Sequence, residues 1–170
     1  HIFKKDNSNL ILIGKTFGHL EQSCFLKENF FLEEEVSKIC AKNNNIGAIS
    51  TFTGVVRNKR QDEELVFMRL DHYPQMALKM LNSIEQEAYK RWKLIDSLII
   101  HRHGNLYPGD QIVLVITISE HRKEAINSCH FLIDWLKTKG PFWKYEKTKT
   151  KGYWVEEKEV DLIEEKKWNK

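Results

Sequence analysis

Cysteine is scarce in this chain of 170 residues. Cys24, Cys40 and Cys129 are an odd number and form no C-x-x-C pair, so neither a disulfide framework nor a cysteine zinc site is expected. A reducing cytoplasm is the simplest compartment. Long apolar runs are missing too: IVLVI at 112–116 is far below a membrane span, which needs roughly 20 residues. LILI at 10–13 is shorter than the apolar segment of a signal peptide, roughly 7–15 residues. These lacks predict a soluble, unexported protein with no membrane partner. A glycine-rich phosphate loop, a Ser-His-Asp order and zinc-protease patterns are absent as well. Nor does one sign of charge dominate, since 27 Lys and Arg face 24 Asp and Glu for a net +3. That balance alone calls for neither nucleic acid nor an anionic membrane.

What is present points to one domain with a core, given 41% hydrophobic residues in this length. Residues 1–24 show no sustained period and are read as an N-terminal extension, its origin open between a tag, a fusion remnant and an added arm. The domain proper is expected over 25–170. FFLEEEVSKICAKNN places Leu32, Val36, Ile39 and Cys40 on one helical face. Two strand-like runs follow, 46–58 and 64–73, joined by the polar loop NKRQDE, and their closeness suggests an antiparallel pair. Pro74 suits the first turn of a helix over 75–92, with Met76, Met80, Ile84, Ala88 and Trp92 inward. A strand at 97–104, the turn YPGD at 107–110 and the most apolar strand, 112–119, come next. Ser119 is positioned to cap a helix with Ala125, Cys129, Leu132 and Leu136 inward, and Gly140 with Pro141 stops it. FWKYEKT and YWVEEKE then read as a hairpin. This order of elements fits an α+β fold, a two-layer sandwich on a mainly antiparallel sheet.

Several places could carry chemistry. SEHRKE at 119–124 sits at a strand-to-helix junction, where unpaired N–H groups attract anions and His121 and Arg122 add donors. A solvated helix start would show the same residues. Lys137 and Lys144 flank the Gly140-Pro141 reversal, and two converging ammonium groups can supply a base or nucleophile near neutrality. Lysines closing a helix also complement its dipole without any function. Arg57 ends a strand where it could grip a phosphate or carboxylate, or simply form a surface ion pair. His101 and His103 form an H-x-H without a third ligand at a recognised spacing, so no metal is expected. Lysines interleaved with Phe142, Trp143, Tyr145 and Tyr153 would alternatively suit a single-stranded nucleic-acid-binding module.

The segments GAISTFTGVVRN, LDHYPQMA, IIHRHGNLYPGD, SEHRKEA and LKTKGPFWKYE, taken in this order, resemble the large, catalytic subunit of molybdopterin synthase from about residue 26 to residue 160. The resemblance implies a hammerhead-type α+β fold and a sulfur transferase of molybdenum cofactor biosynthesis. Such an enzyme converts a cyclic pyranopterin monophosphate to molybdopterin. Its dithiolene sulfurs come from the C-terminal thiocarboxylate of a small ubiquitin-like carrier subunit, and it needs no metal or nucleotide cofactor. Carried over by motif, Lys137 stands beside the incoming thiocarboxylate and Lys144 is the second catalytic lysine. Arg57, His121 and Arg122 line the anionic pterin pocket, and Phe52 and Pro141 shape its walls. The family pattern is a homodimer within a heterotetramer, acting in the cytoplasm without nucleic acid. Tyr145 departs from it, standing where many relatives carry a basic residue.

Overall fold

The computed structural model describes residues 11–12, 23–155 and 167–168. Along the chain run β1 (Ile11–Leu12), β2 (Cys24–Leu26), α1 (Leu32–Lys42), β3 (Ala48–Val55), β4 (Lys59–Arg60), β5 (Glu63–His72) and α2 (Pro74–Arg91). After these come β6 (Leu94–Arg102), β7 (Gly104–Leu106), β8 (Gln111–Ser119), α3 (Arg122–Thr138), β9 (Phe142–Thr148) and β10 (Gly152–Val155). The fold is α+β. One sheet has the order β1-β2-β6-β8-β3 and the other β10-β9-β5-β4, with β7 also paired to β5. Among the described residues every ladder is antiparallel except β2 with β6. Of residues 1–24, Ile11–Leu12 form β1 and Ser23 and Cys24 lead into β2, while the rest lie outside the described residues. The final part of the expected strand YWVEEKE, beyond Val155, also lies outside them.

The inner strands β6 and β8 of the first sheet are buried on both faces, which is why β8 reads as an unbroken apolar run rather than an alternation, whereas β3 stays partly exposed. On one face α2 and α3 enclose Phe25, Ile99 and Val115 with Leu81, Ala88, Cys129 and Leu132. On the other face α1 brings Ile39 against Leu98, Ile100, Leu114 and Ile116. A third cluster of Val56, Leu65, Met68, Leu70 and Leu106 joins the two sheets, and Phe142 packs against both it and the helical core. Trp168 returns to the helical layer, where its indole N–H donates to Asp134 Oδ2 at 2.8 Å and its ring meets Trp92 and Phe131 edge-on.

Three expectations need correction. The strands at 46–58 and 64–73 do not pair: β3 lies against β8, and β5 against β4, β7 and β9. Val56 exchanges backbone hydrogen bonds with Gly109 and Asp110 instead, so the chain leaves the first sheet there. Gln61, at φ 53°, then turns β4 back on β5. In α2 the buried stripe is Ala77, Leu81, Ile84 and Ala88, whereas Met76 is 45% exposed. Strict steps of four drift by about 40° each around a helix, so a run that is buried at Ile84 and Ala88 has its first member, Met76, rotated out of the core face. Finally, Ser119 does not cap α3: the cap position is His121 and carries no side-chain cap bond, while Ser119 Oγ donates to the Lys93 carbonyl at 2.8 Å.

Candidate active site

Arg57 and Lys144 reach one cleft from different sheets. β3 ends at Val55, Val56 anchors in the joint between the sheets, and Arg57 emerges into solvent just beyond. Gly54 lets β3 press close to β8, because a Cβ there would come within 2.8 Å of Val113 Cγ1. Lys144 arrives on β9, whose side chains alternate, so Lys144 and Glu146 share the face turned toward Leu65 and Met68. The cleft is lined by Val55, Val56, Arg57, Lys59, Met68 and Lys144, among others, and holds about 30 Å³, room for a water or two rather than a pterin.

Beneath these cations lies Glu146, 5% exposed. Its Oε1 is 3.1 Å from Lys144 Nζ, and its Oε2 accepts from Arg60 Nη1 at 2.7 Å. Burial works to raise the Glu146 pKa, but the Arg60 hydrogen bond and the Lys144 charge outweigh it, so the carboxyl sits below its usual value. The Lys144 ammonium therefore has a fixed anionic neighbour.

Lys137 is exposed in the last turn of α3. From there the chain closes the helix with the Lys139 N–H on the Trp135 carbonyl at 2.8 Å, passes Gly140 and the buried Pro141, and enters β9. Lys137 and Lys144 thus flank one sharp reversal. Gly140 is required by space, not by backbone angle, because a Cβ would collide with the Leu136 carbonyl and lie 2.7 Å from the Phe142 ring. Phe52 is partly buried and packs against the helical core; neither it nor Pro141 lines the cleft.

His121 and Arg122 stand elsewhere. The β3–β8 register sets Ala48 opposite Ser119 and Val55 opposite Gln111, so Ser119 and Arg57 lie at opposite ends of the ladder. At about 3.3 Å per residue this separates His121 and Arg122 from the Arg57 cleft by more than about 20 Å within one chain. Both are exposed at the start of α3. A larger cavity of about 160 Å³ lies beside Trp168, Phe131 and Trp135, and none of the expected site residues lines it.

A model of the family described as "MoaE protein" matches residues 26–139. The chain belongs to the MoaE family. A molybdopterin synthase catalytic subunit of Ralstonia nicotianae is 44% identical over 133 residues, covering 78% of this chain and 76% of the relative. One from Escherichia coli is 44% identical over 128 residues, covering 75% of this chain and 85% of the relative. Among solved structures, the molybdopterin cofactor biosynthesis protein E of Burkholderia multivorans superposes with a TM-score of 0.75 at 40% identity, covering 88% of this chain and 97% of that one.

Within this MoaE chain, sequence reasoning missed Glu146 and Lys59. Glu146 reads as a counter-charge in a lysine-rich stretch, and only its spacing of two from Lys144 on a strand signals a shared face. The remaining lysines do not form a bare basic track. Lys149 pairs with Glu64, and Tyr145 and Trp154 pack on each other and on Arg69. His101 and His103 enter an aromatic joint rather than a ligand set: His101 stacks on Phe142 at 4.0 Å, and His103 packs on His72 at 4.7 Å. Among the described residues no helix is long and apolar enough to cross a membrane.

Proposed function

We propose that this chain is the catalytic subunit of a molybdopterin synthase. It transfers sulfur from the C-terminal thiocarboxylate of a small ubiquitin-like carrier to a cyclic pyranopterin monophosphate, forming the dithiolene of molybdopterin. The observation that carries the reading is the convergence of Arg57 and Lys144 on one cleft, in a chain 44% identical to proteins of that activity. Thiocarboxylate and phosphate are both anions, and bringing them together requires fixed cations in a partly desolvated setting.

Lys137 orients the thiocarboxylate sulfur and assists proton transfer as sulfur attacks the pterin side chain. Lys144 acts as general acid and base in ring opening and dehydration. Arg57 binds the phosphate with paired donors. His121 and Arg122 share this task from a second copy of the chain, since one chain holds them at the far end of β3 and β8 from Arg57. A cleft of about 30 Å³ supplies only one wall of a pterin site, in keeping with a homodimer that carries a small subunit at each end.

Reconstitution with thiocarboxylated carrier and pyranopterin precursor, scoring dithiolene formation, tests the reading. Lys137→Ala and Lys144→Ala are each expected to lower the rate at least about a hundredfold while the complex with the carrier still forms. Normal product formation by either variant would remove that lysine from the mechanism. A complex of the unaltered protein that transfers no sulfur would end the enzyme reading.

A further inference from the structure

The geometry points to Arg60 as a positioning residue for sulfur transfer: it holds Glu146, and Glu146 in turn holds the ammonium group of Lys144 at the cleft. The inference rests on the proposed role of Lys144. Arg60 does not itself line the cleft, so its influence runs through the carboxylate it grips.

Three contacts fix Arg60. Its Nη1 donates to Glu146 Oε2 at 2.7 Å, its guanidinium lies 4.5 Å from the centre of the Tyr153 ring, and its backbone pairs with Glu63 in the β4–β5 hairpin. Glu63 ties the two hairpins together as well, accepting from Thr150 Oγ1 at 2.8 Å and from the Tyr153 hydroxyl at 3.5 Å. The guanidinium is thus clamped between a carboxylate and an aromatic face, and a planar donor holds its partner's direction better than a freely rotating ammonium does. Glu146 is left with one oxygen for Arg60 and the other for Lys144. Without Arg60 the carboxylate is free to swing, to close both oxygens on Lys144 and to draw that amine from the reacting atoms. A displacement of this order at a reacting group is costly in rate, not in substrate affinity.

The test uses the full-length protein reconstituted with thiocarboxylated carrier and pyranopterin precursor. Arg60→Met is expected to lower kcat about tenfold while KM for the precursor changes less than about twofold. Added guanidinium ion is expected to restore part of the rate of Arg60→Ala. In a Glu146→Gln background, Arg60→Met is expected to cost nothing further, because residues acting through one another are not additive. An unchanged kcat, a rise in KM alone, or an equal loss in both backgrounds overturns the proposal. Lys144→Ala is assayed alongside: full activity there defeats the catalytic reading of Lys144, whereas a dead Lys144→Ala with an unaffected Arg60→Met defeats only the role of Arg60.

Discussion

At the scale of single residues, Gly140 shows how little room the reversal between the two lysines allows. A methyl group there would meet the Leu136 carbonyl and the Phe142 ring, so Gly140→Ala must push apart the last turn of α3 and the first residues of β9. It is expected to destabilise the fold by about 1–3 kcal/mol, as overpacking does, read from denaturant midpoints. It should also lower the sulfur-transfer rate in the folded protein, because Lys137 and Lys144 flank the displaced step. Residue chemistry was the most legible part of the site. Lysines and arginines beside turns declare themselves by type, whereas Glu146 is defined by what lies above it, and a one-dimensional string does not contain that. The two ends of the β3–β8 ladder were equally illegible, since SEHR and VVRN look like neighbours in function while the register separates them.

At the scale of elements, α2 buries a carboxyl against β6. Glu85 is fully buried and accepts from Ser97 Oγ at 2.8 Å, and burial pushes its pKa up to about 7 against the Ser23 and Ser97 hydrogen bonds, which lower it. Below pH 4.5 the carboxyl is protonated whether the chain is folded or not, and costs nothing extra. As pH rises from 4.5 to about 7 the unfolded chain ionises while the folded one resists, so stability falls across that window and then levels off. Glu85→Gln is expected to raise stability at pH 8 by up to about 3 kcal/mol and to leave it unchanged at pH 4, measured by urea unfolding at both values. Element types were readable from period and punctuation: α1, α2, α3 and β9 stand where the patterns put them, as does the expected last strand as far as Val155. Pairing was not readable, because β3 and β5 are adjacent in sequence but Val56 is claimed by the 107–110 turn. Nothing local in a strand names its partner.

At the scale of the whole molecule, the two sheets meet at an aromatic joint in which Phe25, His72, His101, His103 and Phe142 pack ring to ring. Burial pushes the His101 pKa down to about 4, against the hydrogen bond its Nδ1–H donates to the Arg102 carbonyl, and burial also lowers His72 and His103. Stability from keeping these rings neutral is complete above pH 6.5 and is lost as pH falls from there toward about 4, where the folded protein takes up the proton. His101→Phe keeps the stacking and is expected to remove up to about 3 kcal/mol of that acid-side loss, seen as a flatter stability profile between pH 6.5 and 4. The same joint bears on how the chain assembles. Phe25 reaches it on β2, whose parallel ladder with β6 is completed by the Ile99 N–H donating to Ser23 Oγ across 76 residues. A contact that distant charges its loop entropy before it returns any pairing, so hairpins such as β9–β10 form ahead of it. During synthesis β2 leaves the ribosome early with only the two-residue β1 before it to pair with, and its parallel neighbour β6 follows far later in the chain. Docking Phe25, which is fully buried and stacked on His72, is therefore expected after the local hairpins have formed, and Phe25→Ala is expected to speed unfolding more than it slows refolding in a denaturant chevron.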